Sequence, residues 1–187
     1  MVIDQMNGFK GSRLMKDGRQ KVRKKWTRPE VGVAKLNVDG AFVEDGGAGA
    51  GIILRDHRGE VIVLACRHLL HCKDATEAEM AAIEEGLKLS LTWTPLKIVV
   101  ESDCADAVKL IQKETPNTSI HAFRVSVIRE LLQEREIKIA SMSRDANGAS
   151  HALARMGRVQ RRTEVWLQSF PQEISTSLEA DDTTPRA

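Results

Sequence analysis

Residues 36–42 read LNVDGAF and residues 48–70 read AGAGIILRDHRGEVIVLACRHLL. In the first stretch Leu36 and Val38 alternate with Asn37 and Asp39, the period of two that gives a strand one apolar face. That strand runs from Val33 to Phe42, and alternation turns Asp39 away from Leu36 and Val38. The second stretch holds two β-rich apolar runs, Gly49 to Leu54 and Glu60 to Arg67, joined by Asp56-His57-Arg58-Gly59, a hairpin connection that ends in Gly. Three consecutive strands with short connections predict an antiparallel meander.

Beyond the meander the period changes. Between Thr76 and Leu91, Met80, Ile83, Leu87 and Leu91 recur at steps of three and four, which predicts an amphipathic helix. After the Thr94-Pro95 break, LKIVVES has strand length, and Asp103 follows it at the start of a second helical pattern with Ala107, Val108, Leu110 and Ile111. A loop at 116–119, with Ser119 as a candidate cap, leads to a third helix carrying Phe123, Val127, Ile128 and Leu131. Ile137 to Met142 reads as the last strand and Asn147 to Arg158 as the last helix. The order β-β-β-α-β-α-α-β-α predicts an α/β fold: a five-stranded mixed sheet, a three-strand antiparallel meander followed by β-α alternation, with helices on both faces. Trp93, just before Pro95, is expected to anchor the core, and His57 and His121 to lie on the surface.

The chain has 187 residues, 42% hydrophobic and 29% charged, enough for one domain that needs neither disulfides nor a structural metal. No uncharged stretch approaches the roughly 18 apolar residues of a membrane span. Cys66, Cys72 and Cys104 are odd in number and lack CxxC spacing, which suits a reducing compartment; the expectation is an intracellular protein, nuclear or cytoplasmic and not secreted. The net charge of +2 is unevenly spread. Residues 1–28 carry nine Lys and Arg against Asp4 and Asp17, whereas 172–187 carry four acids against Arg186. Lys21, Arg23, Lys24 and Lys25 form a basic run that can attract nucleic-acid phosphates or serve nuclear import, or be a solvated leader. The expected organisation is a basic leader at 1–28, a folded domain at 29–160, and a tail at 161–187 that docks in part and is then acidic and loose.

Three acids stand out by position. Asp39 interrupts an apolar strand beside Gly40; Asp103 follows a strand directly, where open α/β sheets bind ligands; Glu79 lies one turn before Ile83, next to the buried stripe. Taken singly, each has an ordinary alternative: a turn carboxylate for Asp39, a helix cap for Asp103, a solvated flank for Glu79. Glu77 competes with Glu79, and Glu101 is the weaker neighbour of Asp103, expected on the opposite sheet face. Cys66, His68, His71 and Cys72 have no zinc-ligand spacing, and Asp145 reads as a turn acid.

Together these residues resemble the ribonuclease H fold. The matching blocks are KLNVDGA at 35–41, AGAGII at 48–53 with Arg55-Asp56 and Gly59, AEMAAI at 78–83 with Gly86-Leu87, and VESD at 100–103. The similarity is greatest to the plant reverse-transcriptase-like branch, in which a Trp and a Pro precede the first strand, here Trp26 and Pro29, and an Arg, an Asn and a short helix start close the domain, here Arg144, Asn147 and SHALA at 150–154. The resemblance covers about residues 26–160, with a weaker echo in Val165-Trp166-Leu167 and Pro171.

It implies hydrolysis of the RNA strand of RNA–DNA hybrids by a monomer whose catalytic and metal-holding residues are Asp39, Glu79, Asp103 and His151. Two ions about 3.5–4 Å apart would serve, Mg²⁺ first and Mn²⁺ as a substitute. Arg144, Asn147 and the basic run Lys21, Arg23, Lys24 and Lys25 would bind nucleic acid. Ala82 and Gly86-Leu87 follow Glu79 at the family's spacing, which favours it over Glu77. His151 departs from the pattern, because the most active members carry a carboxylate there. The departure implies weakened hydrolysis, or else a degenerate nucleic-acid-binding module or a retroelement-derived protein-interaction domain.

Overall fold

A computed structural model describes residues 25–115 and 119–181. The meander is β1 (Val33–Val43), β2 (Gly47–Arg55) and β3 (Val61–Leu69). Then follow α1 (Ala75–Trp93), β4 (Lys97–Ser102), α2 (Ala105–Gln112), α3 (Ala122–Gln133), β5 (Ile137–Ser141), α4 (Gly148–Val159), β6 (Glu164–Leu167) and α5 (Ser175–Asp181). The sheet order is β5-β4-β1-β2-β3-β6, with β1-β4 and β4-β5 parallel and the other pairs antiparallel. It is the mixed α/β sheet expected, with one strand more. β6 is too short for its alternation to stand out, yet it pairs with β3 from Val63↔Leu167 to Cys66↔Glu164.

Two apolar layers flank the sheet. Leu36, Val38, Ile52 and Leu54 pack with Met80, Ile83 and Leu87 of α1 and Ile128 of α3. On the other face Ile53, Leu64 and Cys66 pack with Leu153 and Met156 of α4 and with Ile174, which leads into α5. β2 is therefore buried on both sides, and its run Ile52-Ile53-Leu54 serves both layers. Two glycines set how closely the helices approach. A Cβ on Gly40 would run into the Ala78–Glu79 backbone of α1, and one on Gly51 into Ser150 and Ala154 of α4.

Several local expectations change. Trp93 is 46% exposed, at the C-terminal end of α1, where Ser90 and Thr94 are the residues turned inward. Phe123 is 82% exposed, since α3 turns Val125 and Ile128 inward instead. Ser119 is not the α3 cap, which is His121, and His121 is itself half-buried, with Nε2 3.5 Å from Asp74. The tail docks as far as Asp181, which is 5% exposed. None of the described helices is long and apolar enough to cross a membrane.

Candidate active site

Strand register assembles the site. Asp39 lies on the α4 side of β1 opposite Gly51, and β4 ends at Ser102 opposite Val38, so the next residue, Asp103, falls beside Asp39. Glu79 comes from α1, on the other face. It reaches the pair because Gly40 lets the helix close on the strand, and the Gly40 N–H donates to its carboxylate. One ligand oxygen from each of Asp39, Glu79 and Asp103 lies within 4.8 Å of the others. No other group of three His, Cys, Asp or Glu among the described residues converges in this way, which leaves Cys66, His68, His71 and Cys72 apart and Asp145 outside.

Three acids packed together out of water cannot all ionise cheaply. Burial, then the charge of Asp103, pushes the Asp39 carboxyl up to about 6, against the opposing pull of His151. Burial, then Asp39 and Asp103, pushes Glu79 up to about 8. Glu79 is 9% exposed, and its Oε2 is buried without a hydrogen-bond partner. Three converging carboxylates, one of which keeps a buried oxygen unpartnered, could hold a cation.

The surrounding polar groups serve the triad unequally. His151 Nδ1 lies 3.0 Å from Asp39 Oδ2, with the ring 61% exposed. Arg144 Nε donates to Asp103 Oδ2 at 3.2 Å, and the rest of its side chain is in solvent. Asn147, read from the sequence as a nucleic-acid contact, is 1% exposed. Its amide donates to the Val38 carbonyl at 2.9 Å and to Asp103 Oδ1 at 3.3 Å, and its own oxygen accepts from the Ser150 hydroxyl. With both hydrogens committed, Asn147 holds Asp103 against β1 and has no donor left for a phosphate.

Asp103 caps no helix; Cys104 holds the α2 cap position, without a side-chain bond. Glu77 stays at the start of α1, where it accepts from the Lys73 N–H. Glu101 corrects an expectation. Residues two apart on a strand share a face, so it lies on the same side as Asp103, but its carboxylate meets Lys35 at 3.0 Å and the Asn37 amide at 3.0 Å. Lys25 is exposed, whereas Lys21, Arg23 and Lys24 lie outside the described residues.

Sequence reasoning missed a polar support beneath the triad. Asn37, two residues before Asp39, bonds Glu101, two residues before Asp103, and so ties β1 to β4. Its oxygen accepts from the Trp26 indole at 2.7 Å and from Arg55 at 3.1 Å. The Arg55 guanidinium lies 3.6 Å from the centre of the Trp26 ring and reaches Asp181 at 3.4 Å. Burial pushes the Asp181 carboxyl up to about 6, and Arg55 opposes the shift. The signal was Asn37 itself, a polar residue that strand alternation puts on the same face as Asp39.

The model of the family described as reverse transcriptase-like matches residues 37–157, a span that runs from Asn37 through all four site positions. The chain belongs to the reverse transcriptase-like family. No curated protein matches this family member in sequence. Among solved structures it is similar to ribonuclease H1 from the archaeon Halobacterium salinarum, at 20% identity over 66% of this chain and 96% of that one, with a TM-score of 0.62. It is also similar to LC11 ribonuclease H1, a compost metagenome enzyme solved with an RNA/DNA hybrid, at 15% identity over 68% and 98% with a TM-score of 0.59. The foamy viral protease-reverse transcriptase solved with an RNA/DNA hybrid matches at 16% identity over 85% of this chain but 22% of its own, with a TM-score of 0.52. This reverse transcriptase-like chain thus has the ribonuclease H fold.

Proposed function

We propose that the protein is a metal-dependent nuclease that hydrolyses the RNA strand of RNA–DNA hybrids. The observation that carries this reading is the convergence of Asp39, Glu79 and Asp103, with one Glu79 oxygen, Oε2, buried and unpartnered. An all-oxygen set of largely buried carboxylates fits a hard divalent cation, Mg²⁺ before Mn²⁺. When bound, such an ion lowers the pKa of water and stabilises the charge that develops on a leaving 3′ oxygen. Asp39, Glu79 and Asp103 would hold it. Asn147 and the Asn37–Glu101 bridge keep Asp39 and Asp103 side by side, and Gly40 fixes Glu79 from the other face. In the reaction a water oxygen bonds to phosphorus as the P–O3′ bond breaks, giving 5′-phosphate and 3′-hydroxyl ends.

Arg144, exposed beside Asp103, meets the phosphate backbone, and the basic run at 21–25 adds affinity without sequence preference. LC11 ribonuclease H1 and the foamy viral protein, both solved with RNA/DNA hybrids, support this choice of substrate. Trp26 docked on Asn37 supports the plant branch of the family, whose members place a Trp ahead of the first strand. A labelled hybrid, cut in Mg²⁺ and intact in EDTA, tests the reading.

One observation favours a second reading, a nucleic-acid-binding module without turnover. His151, not a carboxylate, stands against Asp39. Hybrid binding without cleavage in either Mg²⁺ or Mn²⁺ would select it.

A further inference from the structure

The three carboxylates are not equally free. Asp39 Oδ2 faces His151 Nδ1 at 3.0 Å, Asp103 Oδ2 accepts from Arg144 at 3.2 Å, and Asp103 Oδ1 accepts from Asn147 at 3.3 Å. Glu79 Oε2, by contrast, is buried and has no partner. The triad therefore has one flank supplied with side-chain hydrogen-bond donors and one, at Glu79, that meets only the Gly40 N–H and leaves Oε2 unpartnered. We infer that the protein holds a single divalent ion, on the Glu79 side of the triad, and that the His151 ring occupies the place where a second ion would sit. The inference rests on the metal site of the proposed nuclease and adds its stoichiometry.

Three physical points carry it. The first is the lone-pair inventory. An ionised carboxylate only accepts hydrogen bonds, so when a cation shares the site and keeps Asp39 ionised, the nitrogen facing Oδ2 must carry the hydrogen. A ring nitrogen that donates has no lone pair for a metal, which makes His151 Nδ1 a competitor for Asp39 and not a fellow ligand.

The second is charge. One divalent ion with the Arg144 guanidinium already matches the three carboxylates, and a second ion would enter a site with no negative charge left to meet it. A carboxylate at 151 would bring that charge; an imidazole brings none.

The third is displacement. An ion at Glu79 Oε2 breaks no hydrogen bond, because that oxygen has none. An ion on the other flank has to remove the His151 contact and compete with Arg144, which together supply the donors that Asp39 Oδ2 and Asp103 Oδ2 now have.

Titration of the 187-residue chain with Mn²⁺ alone, counting free ion by electron paramagnetic resonance, tests the inference. One bound ion per chain is expected for the parent and two for His151→Asp. Two ions in the parent would overturn the inference and leave the nuclease reading standing. No bound ion, or the parent's stoichiometry retained by Asp39→Asn, would overturn the metal site itself and with it both readings. Should His151→Asp fail to fold, the parent alone decides: nitrogen-15 spectra of the Mg²⁺-loaded protein should show Nδ1 of His151 still protonated. Loss of that proton on loading would mean that the ring ligates the metal, and the inference would be wrong.

Discussion

Replacing Glu79 with Gln should stabilise the metal-free protein, and only above acid pH. In the folded chain Glu79 keeps its proton until about pH 8, whereas its ordinary value is 4.5. Between those limits the unfolded chain has released a proton that the folded chain retains. The stability present in full below pH 4.5 is therefore lost as pH rises, at about 1.4 kcal/mol per pH unit. At pH 7 this amounts to about 3 kcal/mol, part of which belongs jointly to Asp39, the second contributor to the shift.

Gln has the same shape and cannot ionise, so Glu79→Gln escapes the loss. For a domain of this size the variant should melt about 5–10 °C above the parent at pH 7, and the two should coincide near pH 4. Mg²⁺ should then raise the parent more than the variant, because only the parent offers Glu79 as an anionic ligand. Thermal melts by circular dichroism at pH 4 and 7, in EDTA and in Mg²⁺, measure all of this. A Glu79→Gln protein that melts below the parent at pH 7 without metal, or that differs from it equally at both pH values, would refute the reasoning.

Other substitutions give independent readouts. His151→Asp should raise Mg²⁺-supported hybrid cleavage by about tenfold, close to 1.4 kcal/mol in barrier, as measured by initial rates. Gly51→Val should lower the melting temperature by about 10 °C, because its Cβ would meet Ser150 and Ala154 and push α4 off the sheet; an unchanged melt would show that the packing is looser than described. Deleting residues 1–25 should flatten the slope of log affinity against log salt, by about 0.7–0.9 for each phosphate that the arm neutralises, as followed by fluorescence anisotropy on a hybrid. Asp39→Asn should keep the fold by circular dichroism while losing metal-dependent cleavage.

The parts of the fold that could be read in the sequence are those with a long enough period. Leu36 and Val38, the doubly buried Ile52-Ile53-Leu54 and the α1 stripe of Met80, Ile83 and Leu87 each repeat over many residues, and all lie in the core. β6 covers four residues and α5 seven, too few for a periodic signal, so the docked tail was legible only in part. In the site, Asp103 could be read because it follows a strand end, where such sheets bind ligands, Asp39 because it interrupts an apolar strand beside Gly40, and Glu79 because the family resemblance favours it over Glu77. Whether Asn147 faced a phosphate or a strand could not be read. That depends on where α4 crosses β1, which Gly51 and the α4 backbone decide by packing together from about 100 residues apart in sequence. The same holds for Asn37, whose partners Trp26, Arg55 and Glu101 come from three separate segments.

The most direct test is cleavage of a hybrid whose RNA strand carries the label, by the 187-residue chain and by Asp39→Asn prepared side by side. The expected result is RNA fragments ending in 3′-hydroxyls with parent protein and Mg²⁺, and none with EDTA or with Asp39→Asn. RNA left intact by the parent in both Mg²⁺ and Mn²⁺, or cut equally by Asp39→Asn, would contradict the assignment of Asp39, Glu79 and Asp103 as a nuclease centre.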